Sequence, residues 1–81
     1  MKIPRDESAE QLIKKLAIFG YSKTRQTGSH IRLSRISIDK TDHLTIPNHY
    51  PIRIGTLSDI LKEASRQLEI SKEELVKKLY S

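Results

Sequence analysis

The chain has 81 residues, with 36% hydrophobic and 31% charged side chains. That is enough for one small domain with one core, so a single domain over 1–81 is expected. It contains no cysteine, which excludes disulfides and thiolate metal sites. The first seven residues lack the apolar stretch of a secretory signal, and no run approaches the roughly 18–20 apolar residues of a membrane span. The expected compartment is the cytoplasm, with no membrane partner.

The formal charge is +5, and its distribution carries more than its size. No acid stands between Glu10 and Asp39, whereas Lys14, Lys15, Lys23, Arg25, Arg32 and Arg35 do. The remaining nine basic and ten acidic residues nearly cancel. Such a segment suits a polyanion, most often nucleic acid. A solvated basic face that only keeps the protein in solution accounts for the same charge.

In chain order, a first helix opens at Ser8, where Ser8 and Gln11 have the spacing of a capping box. Ala9, Leu12, Ile13, Leu16 and Ala17 form one apolar stripe at helical spacing. Gly20 ends the helix after Phe19 by adopting a left-handed backbone. Tyr21 to Gln26 reads as a first strand, and Thr27-Gly28 as a tight turn. His30 to Leu33 alternates, with Ile31 and Leu33 facing one way and His30 and Arg32 the other. Ile36 and Ile38 have the opposite parity, which a bulge near Ser34-Arg35 would reconcile. Asp39 to Asp42 is a polar turn. His43 to Ile46 is a third strand with Leu44 and Ile46 inward, closed by Pro47.

Thr56 is expected to cap a second helix, with Leu57, Ile60, Leu61, Ala64 and Leu68 as its buried face. Ser71 and Glu74 open a short final helix with Leu75, Val76 and Leu79. The fold expected is α+β: helix, three antiparallel strands, helix, plus a short C-terminal helix. Its core spans about 8–69 and its extension 71–81. Helices on one face of the sheet leave the other face to solvent, with His30 and Arg32 pointing there.

The stretch with most chemistry is Arg25-Gln26-Thr27-Gly28-Ser29-His30. Gly28 permits a tight turn, and Arg25 is suited to clamping a phosphate. An imidazole moves protons near neutral pH. On RNA it takes the proton of a ribose 2′-hydroxyl, which attacks phosphorus while a cation steadies the charge. Gly-Ser-His alone is a weak signal, and an ordinary hairpin with an exposed histidine is its commoner reading. Three histidines (His30, His43, His49) lack paired metal-ligand spacing, and neither metal nor cofactor is expected. His43 reads as an exposed strand-end residue. Tyr21 and Tyr50 can stack on bases, but packing at the sheet edge is their commoner use.

Four blocks occur in order: Gly20-Tyr21; Arg25-Gln26-Thr27-Gly28-Ser29-His30; Thr45-Ile46-Pro47-Asn48-His49; and Gly55-Thr56-Leu57 with Ile60-Leu61. Together they resemble the HicA family, toxins of HicAB toxin–antitoxin modules, over roughly Leu12 to Leu68. The resemblance implies a fold similar to a double-stranded-RNA-binding domain. It implies ribosome-independent cleavage of mRNA, and silencing by a HicB-type antitoxin in a hetero-oligomeric complex. It places His30 at the catalytic histidine, Gly28 and Ser29 at the supporting turn, and His49 at a second histidine of less secure role. It assigns Gly55, Thr56 and Leu57 to turn geometry and packing. Charge and parity, not the resemblance, nominate Arg25 and Arg32, with Lys23 and Arg35, as RNA-binding cations. Two other functions stay open: a non-catalytic RNA-binding module of the same fold, and a protein-interaction domain whose basic face meets an acidic partner.

Overall fold

The computed structural model describes residues 3–80; Met1, Lys2 and Ser81, part of the expected 1–81 domain, lie outside the described residues. The elements are α1 (Ala9–Leu16), β1 (Ser22–Thr27), β2 (His30–Ile36), β3 (Thr41–Pro47), α2 (Ile54–Leu68) and α3 (Lys72–Tyr80). A single 3-10 turn, Ala17–Phe19, follows α1. The three strands form one antiparallel sheet in the order β1-β2-β3. This is the helix–three strands–helix order of a double-stranded-RNA-binding domain, with α3 added.

The start of α1 is set by its sequence. Ser8 Oγ accepts from the Gln11 N–H at 3.1 Å, and the Ser8 N–H donates to Gln11 Oε1 at 2.9 Å. Both bonds satisfy amides that a helix start otherwise leaves unpaired. Ala9, Leu12 and Leu16 are buried, whereas Ala17 is exposed, because the chain has tightened into the 3-10 turn there. Gly20 then takes φ 96°, a left-handed conformation open to glycine.

Ile31 and Leu33 of β2 and Leu44 and Ile46 of β3 face the helices. They close a core with Leu12, Leu16, Ile52, Leu57, Leu61 and Ala64. Helix α3 adds Leu75, Val76 and Leu79 to that core, and the Tyr80 hydroxyl donates to Glu7 Oε2 at 2.7 Å. Lys15 Nζ lies 3.0 Å from the same oxygen, so the buried Glu7 carboxylate is neutralised and hydrogen-bonded. The Tyr80 phenol is pushed far above its ordinary value, first by burial and then by its bond to Glu7.

Four expectations need correction. The irregularity in the sheet lies in β1, between Lys23 and Arg25, not near Ser34-Arg35. The β2–β3 register runs unbroken from His30↔Pro47 to Ile36↔Thr41, so Ile36 simply points to solvent. Ile38 lies in the connection and is fully exposed. Thr56 does not cap α2, since Arg53 with extended backbone precedes a helix that starts at Ile54, and no side chain caps it. Leu68 is half-buried rather than fully inside. At α3, Ser71 Oγ accepts from the Glu74 N–H at 3.0 Å, half of the expected box.

Candidate nucleic-acid interface

The open face of the sheet is built by strand parity. His30, Arg32 and Ser34 alternate with the buried Ile31 and Leu33, and so point away from the helices. Across the ladders, Thr27 faces His30, Arg25 faces Arg32, and Thr45 faces Arg32 from the other side. These five residues line one shallow depression of about 190 Å3.

The turn before His30 is fixed from two directions. Gly28 has φ 58° at the first position of a two-residue hairpin, which glycine adopts at no steric cost. A Cβ there would meet nothing within 4 Å, so backbone conformation, not space, calls for glycine. The Ser29 carbonyl accepts from the Asn48 N–H at 2.6 Å, which ties the turn to the loop after β3. His30 sits directly opposite Pro47. Its imidazole is exposed and has no hydrogen-bond partner among the described residues.

Arg25 and Arg32 stand directly opposite each other on neighbouring strands. Like charges in that arrangement destabilise a sheet. Among the described residues neither guanidinium has an acidic partner. The other cations of the acid-free segment are mostly engaged. Lys14 pairs with Glu10 at 3.5 Å, Lys15 with Glu7 and Arg35 with Asp42 at 3.2 Å. Arg35 also donates from Nε to the Phe19 carbonyl at 3.0 Å.

Of the four cations nominated from sequence, the sheet therefore brings two together with His30. Arg35 has the parity of Leu33 and reaches back to the end of the first helical segment. Lys23 faces Leu33 and lines a groove with Glu10, Lys14 and Gln26 on the helix side. His49 lies in the loop after β3, on a cavity of about 400 Å3 shared with Pro47, Pro51, Ile52, Arg53 and Thr56. The Tyr50–Pro51 peptide in that loop is cis, and Tyr50 is largely exposed.

Tyr21, immediately before the edge strand β1, is buried rather than free to stack on a base, and its hydroxyl donates to Gln67 Oε1 at 2.6 Å. Burial pushes its phenol up to about 12, with Asp42 adding to the effect. Gln67, also buried, donates to the His43 carbonyl at 2.8 Å and to Glu63 Oε2 at 3.0 Å. Sequence reading missed this anchor between α2 and β3. The signal available was a glutamine three residues beyond Ala64 on a helical face. Among the described residues no three His, Asp or Glu side chains cluster in a way that would hold a metal. None of the described helices is long and apolar enough to cross a membrane.

The family of the HicA toxin of bacterial toxin–antitoxin matches residues 9–65. The chain belongs to the HicA toxin family. No curated protein and no solved structure gives a match. The match to the HicA family runs from the first residue of α1 into α2 and contains the whole sheet with its Gly-Ser-His turn. It ends before α3, so the residues of α3 that complete the core lie beyond the shared part of a HicA toxin.

Proposed function

We propose that this HicA toxin is a metal-independent endoribonuclease that cleaves mRNA on the open face of its sheet. The observation that carries the reading is the unneutralised Arg25–Arg32 pair beside His30. Two guanidiniums held against each other with no carboxylate form a site for an anion, and a phosphodiester fits between them bidentately. In that position the His30 imidazole takes the 2′-hydroxyl proton. The freed oxygen attacks the neighbouring phosphorus, and the 5′-oxygen leaves with a proton from water, to which the shallow depression is open. Arg25 and Arg32 stabilise the charge gathered on the phosphorane oxygens. Gly28 and Ser29 hold His30 at the end of β2, and His49 borders the approach as an auxiliary group. Lys23 and Arg35 face away from this site.

The products expected are a 2′,3′-cyclic phosphate and a 5′-hydroxyl end, formed in excess chelator. Recovery of 3′-hydroxyl ends, or loss of cleavage on chelation, would rule this chemistry out. The antitoxin expected is a HicB-type protein that covers this face in a hetero-oligomeric complex in the cytoplasm.

One observation favours the non-catalytic alternative: no protein group orients the His30 ring. An RNA-binding module would hold RNA without cutting it, and His30→Ala would leave its affinity nearly unchanged. Catalytic hydrogen bonds often form only with substrate present, so the nuclease remains the preferred reading.

A further inference from the structure

The hairpin that carries His30 has a second surface behind it. On the β1–β2 ladder, the pair Thr27↔His30 lines the depression of the open face. The next pair, Gln26↔Ile31, lines a groove of about 370 Å3 on the helix side. That volume lies within the usual range of small-ligand sites. The depression and the groove are one ladder step apart, on opposite sides of the sheet.

Strand parity builds the groove at the end of the sheet that α1 leaves uncovered. Asn48 continues β3 past Pro47, and its N–H donates to the Ser29 carbonyl as a further ladder bond. Asn48 has the parity of Ile46, so it lies on the helix side with Gln26. β2 runs between the two, which places them two strand spacings apart, about 10 Å. Ile31 makes the floor between them, and Ile13 of α1 makes a wall. Both amide side chains are exposed. Gln26 Nε2 donates to the Gly28 carbonyl at 3.3 Å, an exposed bond that a ligand can replace.

Charge narrows the class of occupant. Lys23 lines the groove and has no acidic partner among the described residues. Lys14, also at the rim, is balanced by Glu10 at 3.5 Å. An aliphatic floor, two amides and a free cation match the parts of one nucleotide. The base lies on the isoleucine carbons, the amides meet its edges, and the ammonium meets a phosphate. An amide carries a donor and an acceptor side by side, whichever way it is turned. Adenine alone presents an acceptor beside a donor on both its Watson–Crick and its Hoogsteen edge (N1 with N6, N7 with N6). Its N6 has one proton for each amide.

We propose that this groove holds one base of the RNA strand cut at His30, and that Gln26 and Asn48 select adenine there. β1 is an edge of the sheet, so a strand leaving the depression passes round it into the groove without meeting the core. Lys23 holds a phosphate of the same segment. The proposal rests on the RNA-cleaving reading of the open face.

The test uses the full chain. Mixed-sequence RNA is cleaved in excess chelator, and the ends are sequenced to give the base frequencies around the cut. Four short RNAs that differ only at the position of strongest preference then give kcat/KM. Adenine at one position near the cut is expected to be favoured by about fivefold or more, the discrimination of one good bidentate contact. Gln26→Ala and Asn48→Ala, each checked by melting temperature, lower that ratio, and the double variant brings it close to one. A merely structural role would slow all four RNAs alike and keep the ratio. A wild type that cleaves without preferring adenine overturns the proposal and leaves the nuclease standing. A ratio that survives in the double variant also overturns it, and leaves the groove to a polypeptide. If the wild type cleaves no RNA, the reading of the open face fails first, and this inference falls with it.

Discussion

The two faces of the sheet are made from the same strands and obey opposite rules. On the covered face, Ile31, Leu33, Leu44 and Ile46 are packed against α1 and α2, and every buried polar side-chain atom among the described residues has a partner. On the open face, Arg25 and Arg32 oppose each other without an acid, and His30 has no partner. Packing accounts for the first face completely. The Arg25–Arg32 pair costs stability and returns nothing within the chain, which is the mark of a surface arranged for a ligand. Substitutions on the covered face should therefore change folding, and those on the open face should change function.

The largest effect expected is on the covered face. Leu61 is fully buried between α2 and the sheet, and Leu61→Ala should cost about 3 kcal/mol, the usual cost of a core cavity. Denaturant unfolding measures it. In a domain this small that loss removes a large share of the net stability. A cost under about 1 kcal/mol, the range of an ordinary surface substitution, would mean that the core is looser than described.

Next comes the polar anchor. Gln67→Ala leaves the buried Tyr21 hydroxyl and the His43 carbonyl without their partner, and should cost about 2 kcal/mol in the same measurement. The same anchor has a pH signature. Tyr21 holds its proton more tightly when folded, up to about 12, than its ordinary value of 10.0. The unfolded chain loses that proton first, so stability is full below pH 10 and falls between pH 10 and about 12. Tyr80, raised further still, carries the loss to higher pH. Tyr21→Phe should flatten the alkaline limb of the stability curve, and an unchanged limb would contradict this assignment.

The smallest stability effect is on the open face and has the opposite sign. Arg25→Ala relieves a like-charge pair and should raise stability by a few tenths of a kcal/mol. RNA affinity should fall at the same time, and the slope of log affinity against log salt should shrink by about 0.7, one phosphate contact on a single strand. Arg35→Ala sharpens the contrast. It breaks the bonds to Asp42 and the Phe19 carbonyl, so it should lower stability while leaving the salt slope unchanged.

What was legible in the sequence was what local spacing encodes. The Ser8–Gln11 box, the stripe of α1, the inward parity of Ile31, Leu33, Leu44 and Ile46, and the Gly28 turn all have short-range signatures. The separation of Arg32 from Arg35 was not legible, because a bulge expected near Ser34-Arg35 hid it; with the β2–β3 register unbroken, three residues along the strand reverse the face. The irregularity at Thr24 is different. It depends on how β1 registers against β2, and no residue near it announces an extra position. It turns Lys23 to the helix side and Thr24 to the open face, so the contacts of Ser34 Oγ with Thr24 Oγ1 and His43 Nδ1, each 2.9 Å, were invisible before the strands were paired. The Gln67 anchor was hidden for the same reason, because its partners are 46 and 24 residues away. At α2 the expected Thr56 cap failed because a favourable residue type does not by itself stop the helix from starting earlier, at Ile54.

The most direct measurement of the central claim pairs two readings on one variant. Wild-type protein and His30→Ala, each free of any partner, are melted and then incubated with mixed-sequence RNA in excess chelator. The expected result is the same melting temperature for both, within a degree or two, and cleavage by the wild type alone. If His30→Ala still cleaves, or if neither protein cleaves while both bind RNA equally, His30 is an ordinary surface residue and the open face is not a nuclease site.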